Sequence, residues 1–396
     1  MGNRRENAIV GQSGGPTAVI NASVCGVVSG CRGCVKTLYG MVNGIEGLLE
    51  ERLVSLNHLD VDTCAYSTLA LTPSAALGSC RLCLPSDLTH PVYNKIFSVL
   101  EKYGVGWFFY IGGNDSMDTV GKLSAYARLN SIDISVIGIP KTVDNDLVLT
   151  DHTPGFGSCA KYIASVVCDL WCDVSSYSLP SVTVLEVMGR DTGWLGCACG
   201  LPKQLLGYGC DLVYIPEMGV SVDGILGDVD NFLSKSNTLL IGVSEGVSGG
   251  VSSQSTDPFG HGYISGIGRE IEKAVKEKLR CKARSIELNL VQRCAMAGAS
   301  ATDVSESFLA GKYAAKLAKN GSSGKMVTLI RRSEEYGVDL GCADASLVAN
   351  KTKYVPCDFF SKGQLTDKSK DYLSPLIMGE VSVKYERGLP RYYKLR

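Results

Sequence analysis

Histidine is scarce in this chain, with only four residues, at 58, 90, 152 and 261. None has a partner at a spacing that suits a metal cluster or a nucleophilic relay, so each reads as structural or surface. Excess charge of either sign is also missing. Thirty-nine Lys and Arg face forty Asp and Glu, a formal net charge of −1 with His neutral. That balance argues against nucleic acid as a partner and leaves no acidic tail. Tryptophan occurs three times, at 107, 171 and 194, and reads as packing material rather than a base-stacking platform. No apolar run reaches the ~18 residues that span a bilayer. The opening Met1-Gly-Asn-Arg-Arg-Glu-Asn7 leads into a strand-like run without an apolar leader. The expectation is a cytoplasmic protein with no membrane partner.

What is present is apolar material and glycine. The 396 residues are 45% hydrophobic, which excludes a disordered or collagenous chain and suits two or three domains. The 45 glycines favour many tight strand-to-helix turns, where phosphates are commonly bound. Sixteen cysteines are scattered through apolar stretches. Two C-x-x-C pairs, Cys31/Cys34 and Cys80/Cys83, have thiolate spacing that could hold zinc. The long gap between them and the lack of neighbouring histidine favour cysteine used as a small buried hydrophobe.

Short β-branched or aromatic runs alternate with helix-period stretches. Strands are expected at 7–11, 105–112, 135–140, 181–188, 212–216, 238–244, 284–290 and 325–331. Helices are expected from about Thr17, from after residue 112 to about Leu129, and at 158–173, 268–280 and 301–319. This is an α/β pattern with mostly parallel strands in two sheets. The Gly/Ser-rich stretch 247–257 reads as a surface loop, and 351–375, polar and aperiodic, as part of a C-terminal extension.

Ligands of such sheets sit at the carboxyl ends of the strands, and three successive turns there are rich in chemistry. After the first strand, Gly14 and Gly15 in Gly11-Gln-Ser-Gly-Gly-Pro-Thr17 let the backbone approach an anion. After the second comes Gly112-Gly-Asn-Asp-Ser-Met-Asp118, where Asn114, Asp115 or Ser116 could also simply cap a helix. After the third comes Pro140-Lys-Thr-Val-Asp-Asn-Asp146, a lysine and two aspartates within one turn. Phosphoryl transfer needs that mixture: a cation for the moving group, a carboxylate for a hydroxyl proton, and hard oxygens for Mg2+.

In order along the chain, Ser13-Gly-Gly15, Gly112-Gly-Asn-Asp-Ser116, Pro140-Lys-Thr-Val-Asp-Asn-Asp146, Met188-Gly-Arg190, Ser244-Glu-Gly246 and Gln292-Arg293 resemble the phosphofructokinases. The resemblance extends from the first turn to about Arg332. It implies two Rossmann-like three-layer α/β domains. Residues 1–155 with about 294–350 would hold the phosphoryl donor, and 156–293 with the extension 351–396 the sugar phosphate. It implies that Asp144 takes the proton of the sugar 1-hydroxyl and that Thr142 also touches the sugar. Met188, Gly189 and Arg190 would close over fructose 6-phosphate, Glu245 would bind its hydroxyls, and Arg284 and Arg293 would hold its phosphate. The counterpart of Arg284 in this family usually comes from a neighbouring subunit, so a homodimer or homotetramer is expected. Gly15, Arg81 and Ser116 would meet the donor. Mg2+ would be the cofactor, near Asn114 and Asp146.

ATP-using phosphofructokinases typically read Gly-Gly-Asp-Gly-Ser and Pro-Gly-Thr at two of these turns. Here Asp115 and Lys141 replace the two glycines, as in the pyrophosphate-dependent branch. The Asp115 carboxylate would occupy the space of a nucleotide α-phosphate and repel it, and Lys141 would neutralise the moving phosphoryl group. The resemblance therefore implies pyrophosphate:fructose-6-phosphate 1-phosphotransferase activity. An ATP-dependent phosphofructokinase and a catalytically silent homologue are the alternatives. Three positions depart from the pattern. Asn114 stands for a metal-binding Asp, Leu290 for a His or Tyr near the sugar phosphate, and Ser181 for a phosphate-gripping arginine. The sugar end is thus less cationic than usual, and a larger substrate such as sedoheptulose 7-phosphate becomes conceivable. The first helix carries Cys25 and Ser29 where regulated members carry effector-binding arginines.

Overall fold

The computed structural model describes residues 6–247, 266–361 and 363–394. Eleven strands form its two main sheets: β1 (Asn7–Gln12), β2 (Leu38–Met41), β3 (Leu53–Ser55), β4 (Val105–Gly112), β5 (Ser135–Pro140), β6 (Ser181–Val187), β7 (Leu212–Tyr214), β8 (Thr238–Ser244), β9 (Lys282–Glu287), β10 (Lys325–Arg331) and β11 (Val338–Asp344). The first sheet has seven strands in the order β11-β10-β5-β4-β1-β2-β3. Its interior pairs are parallel, and both edges are antiparallel. The second sheet runs β7-β8-β6-β9 and is parallel throughout.

The apolar run of β4 shows why these segments become buried strands. Phe109 and Ile111 face one core with Ile137, Ile139 and Val327, while Phe108 and Tyr110 face the other with Ile9, Val136 and Met326. A sheet covered on both faces needs apolar side chains in both directions, so alternation disappears from the sequence. On the first face, helix Ile20–Cys31 lies against helix Ala301–Lys319 at glycine distance. A Cβ on Gly26 would come within 2.0 Å of the Phe308 carbonyl oxygen, and one on Gly311 equally close to that of Ser23. The second sheet is likewise sandwiched, with Leu185, Val187 and Leu240 on one side and Val182, Val184 and Ile241 on the other.

Several boundaries differ from the sequence expectation. The first helix begins at Ile20, not Thr17. Gly14 has φ +71°, its N–H donates to the Cys80 carbonyl, and the Ser74 N–H donates to Thr17. These bonds hold residues 13–19 as a long turn. Strand β9 spans Lys282–Glu287 rather than 284–290, because Asn289 turns left-handed at φ +41° before a short helix, Val291–Cys294. Pro216 opens a 3-10 turn, Pro216–Met218, and β7 ends before it at Tyr214. Strands β2, β3 and β11 and helices Pro91–Lys102 and Val222–Leu233 are further elements. Beyond Val247, the stretch 247–257 lies outside the described residues.

The extension is structured despite its lack of period. Helix Asp367–Leu373 forms within it, and Val355, Phe359, Leu365, Leu373 and Leu376 join the core of the second sheet. Val381, Val383 and Tyr392 then lean on Ala18, Val19, Met296 and Ala299, beside the first turn. These apolar residues are separate anchors rather than one amphipathic face.

Candidate active site

The carboxyl ends of β1, β4 and β5 build one wall of a cleft. In the first sheet the strand order departs in opposite directions from β1 towards β4 and β2, which opens a crevice above the β1/β4 pair. The glycine turn 13–15 is pinned there. Ser13 N–H donates to Ile111, Gly14 N–H to Cys80, and the Ser13 hydroxyl to the Cys80 carbonyl at 3.1 Å. These bonds lay the segment Gly78-Ser-Cys-Arg81 alongside the turn. Lys141, at the end of β5, is buried at 2% exposure and donates its Nζ to the Gly15 carbonyl at 2.5 Å. A Cβ on Gly15 would meet Arg293 Nη1 at 3.1 Å, and one on Gly14 would meet Lys141 Nζ at 3.4 Å. Lys141, Arg81 and Arg293 act electrostatically on one another around these glycines.

Such crowding leaves its mark on the charges. Burial pulls the Lys141 pKa down to about 8; Asp144 and Asp146 oppose the fall, and Arg293 and Arg81 deepen it. Burial also lowers Arg293, with Arg81 adding to the effect. An anion seated among the three cations would offset both shifts. At the β4 turn, Ser116 is buried against Gly112 and Asp115 is exposed. Helix Asn114–Leu129 starts at Gly113 with no side-chain cap.

The loop after β5 carries two carboxylates, Asp144 and Asp146. The Thr142 hydroxyl accepts the Asp144 N–H at 3.1 Å and lies 3.3 Å from Asp144 Oδ2. The Thr142 N–H donates to Pro154, and Thr153 Oγ1 to the Thr142 carbonyl, so the loop is tied to its own return segment. Burial raises the Asp144 pKa against the pull of Thr142, Lys141 and Arg190. Asp146 is pushed up to about 7 by burial and by Asp144, with Lys353 in opposition.

The ends of β6, β8 and β9 form the facing wall. Met188 N–H donates to Gln292 Oε1 at 3.2 Å, which joins the turn after β6 to the segment after β9. Gly189 has φ +133°, and a Cβ there would strike the Thr192 carbonyl oxygen at 2.6 Å, so this turn requires glycine. Glu245 N–H donates to Val187 and Gly246 N–H to Gly189, which fastens the β8 turn to it. Burial lifts the Glu245 pKa to about 7, Asp144 adds to the rise, and the Gly189 N–H and Arg190 oppose it. Asp144, Glu245 and Arg190 therefore share one field across the cleft.

Residues 7–318 match the family model described as "Phosphofructokinase". The chain belongs to the phosphofructokinase family. One curated relative, the pyrophosphate–fructose 6-phosphate 1-phosphotransferase of Halomonas elongata, is 38% identical over 99% of this chain and 96% of its own. A sulfofructose kinase of Alkalicoccus urumqiensis is 36% identical over 81% of this chain and 83% of its own. The crystal structure of the pyrophosphate-dependent phosphofructokinase of Nitrosospira multiformis superimposes with a TM-score of 0.89, at 37% identity, over 98% of this chain and 96% of that one.

Within this phosphofructokinase the expected site residues fall into two groups. Gly15, Arg81, Lys141, Thr142, Asp144, Asp146, Arg190, Glu245 and Arg293 are linked by the contacts and fields above. Arg293, expected at the sugar phosphate, stands against donor-side Gly15. Arg284 lies apart. It is 41% exposed, 3.6 Å from Asp173, and stacks on Tyr177 at 5.8 Å. Ser181 opens β6, at the strand end opposite Met188, and Leu290 is 59% exposed. Cys31 and Cys80 belong to cores on opposite faces of the first sheet, and Cys34 and Cys83 are exposed. The four thiols therefore do not converge on one zinc ion.

Asn114 behaves differently from the metal ligand expected of it. Its Nδ2 donates to the Lys351 carbonyl at 2.7 Å and its Oδ1 accepts the Asn350 N–H. Both ends of the amide are engaged by the extension. Among the described residues no three His, Cys, Asp or Glu side chains gather as a metal cage. Mg2+ does not require one, since it commonly takes one or two carboxylates, substrate phosphates and water. The half-buried carboxyl of Asp146, pushed up to about 7 beside Asp144, fits that role, because a cation at this point relieves two crowded carboxylates. Lys353 and Tyr372 also reach this loop, at Asn145, and nothing in the sequence marks them. A left-handed Asn inside an Asp-Asn-Asp run was the one signal available at Asn145.

Proposed function

We propose that this phosphofructokinase transfers a phosphoryl group from pyrophosphate to the 1-hydroxyl of fructose 6-phosphate, giving fructose 1,6-bisphosphate and phosphate, in either direction. The observation that carries the reading is Lys141, buried and tied to the Gly15 carbonyl, with Asp115 on the adjacent turn where a nucleotide's α-phosphate would lie. The printed activity of the Halomonas relative supports the same donor and acceptor.

The residues divide the work in a definite way. Asp144, whose pKa is raised by burial, is a stronger base than a solvated carboxylate. It accepts the 1-hydroxyl proton as that oxygen attacks the terminal phosphorus. The bond from this phosphorus to the bridging oxygen breaks, and the proton passes on to the departing phosphate. Lys141 and Arg81 neutralise the charge that collects on the leaving group, with Gly15 and Ser116 lining its seat. Thr142, Met188, Gly189, Arg190 and Glu245 orient the sugar, and Arg284 and Arg293 are assigned to its phosphate. Bound Mg2+, held by phosphate oxygens and Asp146, would supply further charge neutralisation. In this reading residues 1–155 with about 294–350 form the donor domain, and 156–293 with 351–396 form the sugar domain. No helix among the described residues is long and apolar enough to cross a membrane, and we place the enzyme in the cytoplasm as a homodimer or homotetramer.

A coupled assay with pyrophosphate and ATP as rival donors, at several Mg2+ concentrations, tests this. Turnover with pyrophosphate alone is expected. Turnover with ATP alone refutes the donor assignment, and none with either donor despite sugar-phosphate binding favours a silent homologue. A second reading concerns the acceptor. Leu290 stands where a His or Tyr is usual near the sugar phosphate, Ser181 stands where an arginine from an adjacent subunit often grips it, and one relative is named a sulfofructose kinase. Comparing kcat/KM for fructose 6-phosphate, sulfofructose and sedoheptulose 7-phosphate decides it.

A further inference from the structure

The C-terminal extension grips the reacting loop at a residue the mechanism leaves unused. Asn145 stands between Asp144 and Asp146, wholly buried, with φ +53°. A non-glycine residue holds that left-handed conformation when its surroundings over-determine it. Here the side chain is held at both ends. Lys353 Nζ donates to Asn145 Oδ1 at 3.2 Å, and Asn145 Nδ2 donates to the Tyr372 hydroxyl oxygen at 2.9 Å.

Both partners are also fastened to the return of the loop. Lys353 Nζ donates to the Asp151 carbonyl at 2.7 Å, and the Tyr372 hydroxyl donates to the same carbonyl at 2.7 Å. The Lys353 N–H donates to the Asp146 carbonyl at 2.7 Å. Lys353 is fixed in turn by Trp194, whose ring centroid lies 5.0 Å from Nζ and whose Nε1 donates to the Lys353 carbonyl at 2.8 Å. Trp194 opens the helix that follows the Met188-Gly-Arg190 turn. Just before it, Thr192 Oγ1 donates to the Asp144 carbonyl at 3.3 Å.

We infer that Lys353 and Tyr372 are positioning residues for phosphoryl transfer, holding Asn145 left-handed so that the carboxylates of Asp144 and Asp146 leave the loop in reacting geometry. The backbone angles of Asn145 set the relative direction of its two neighbours. Release of its side chain lets the peptide relax and swings both carboxylates, with little change in the residues that bind the sugar. The inference rests on the reading of 141–146 as the reacting loop.

The test uses the full chain and measures kcat and both KM values for wild type, Lys353→Met, Lys353→Arg and Tyr372→Phe, together with Tm. Lys353→Met is expected to lose about tenfold or more in kcat with the sugar KM changed less than about threefold, since a misplacement of ~1 Å costs up to ~100-fold. Tyr372→Phe should lose less, and Lys353→Arg should recover part of the loss. Unchanged kcat in Lys353→Met overturns the inference and leaves the proposed function standing. A loss that only follows the folded fraction, unrelieved by Lys353→Arg, marks a merely structural role and also overturns it. Absence of pyrophosphate turnover in the wild type overturns both readings.

Discussion

At the ends of β1, β4 and β5 Lys141 is buried, and the half-buried Gly14 and Gly15 are hydrogen-bonded into place beside it. At the end of β6 the cation stands in solvent instead, Arg190 paired with its neighbour Asp191, while Arg284, near the start of β9, lies apart from the cleft beside Asp173. The first wall is pre-organised within one chain. Lys141 has already lost its water, so an anion that enters meets one cation that needs no further desolvation. The second wall holds its exposed arginine, Arg190, on a local carboxylate. In the proposed reading the donor meets groups already fixed within this chain, while the sugar phosphate has to draw Arg190 away from Asp191.

The strongest way to break this comparison is at the residue between the walls. Asp144→Ser should fold normally and lose about 10²–10⁴-fold in kcat, the usual cost of removing a general base. A loss below tenfold would sink its assignment. Asp115→Gly sharpens the donor side. Removing an exposed carboxylate from the donor turn should weaken pyrophosphate turnover and let ATP or ADP bind, as read by calorimetry. Full pyrophosphate activity with no nucleotide binding would move donor choice to the pocket walls.

On the sugar side, Arg284→Ala should raise the sugar-phosphate KM about tenfold with the pyrophosphate KM unchanged, the scale of one charge-assisted hydrogen bond. If Arg284 acts across subunits, mixing this variant with Asp144→Ser should restore activity that neither has alone.

A smaller effect concerns stability behind the donor wall. His152 is buried between Asp151, at 2.8 Å, and Glu306, at 2.7 Å. Burial alone pulls its pKa down, but the two carboxylates win and hold it above the usual value. A raised histidine contributes stability that is complete below the unfolded pKa of ~6.5 and is lost as pH rises through the folded pKa. Urea midpoints should therefore fall with rising pH more steeply in wild type than in His152→Gln, and equal slopes would refute the buried imidazolium. The smallest expected effect is none. Cys25 is buried, with its thiol pushed up to about 12, and cannot replace an effector-binding arginine, so ADP should leave sugar saturation hyperbolic.

Much of the active site was legible in the sequence because it is local. Glycine turns, the Lys-Thr-Val-Asp-Asn-Asp run and the buried strands before them are set by neighbours within a few residues. Strand periodicity alone places those turns at one end of a sheet. The family's ordered motifs supplied the proposed roles of base, donor cradle and sugar wall. Boundaries slipped where a single backbone torsion decided them, as at Gly14 and Asn289.

Tertiary structure alone decided which wall each long side chain joins and what braces the reacting loop. Arg293 lies beside Gly15, far earlier in the chain, and Asn114 gives its amide to residues 350 and 351. Lys353 and Tyr372 reach Asn145 from 208 and 227 residues away. No period or local propensity encodes such contacts. The extension docks through scattered apolar anchors, and only when Phe359, Leu365 and Leu373 are buried on the second sheet are Lys353 and Tyr372 brought to the loop they hold.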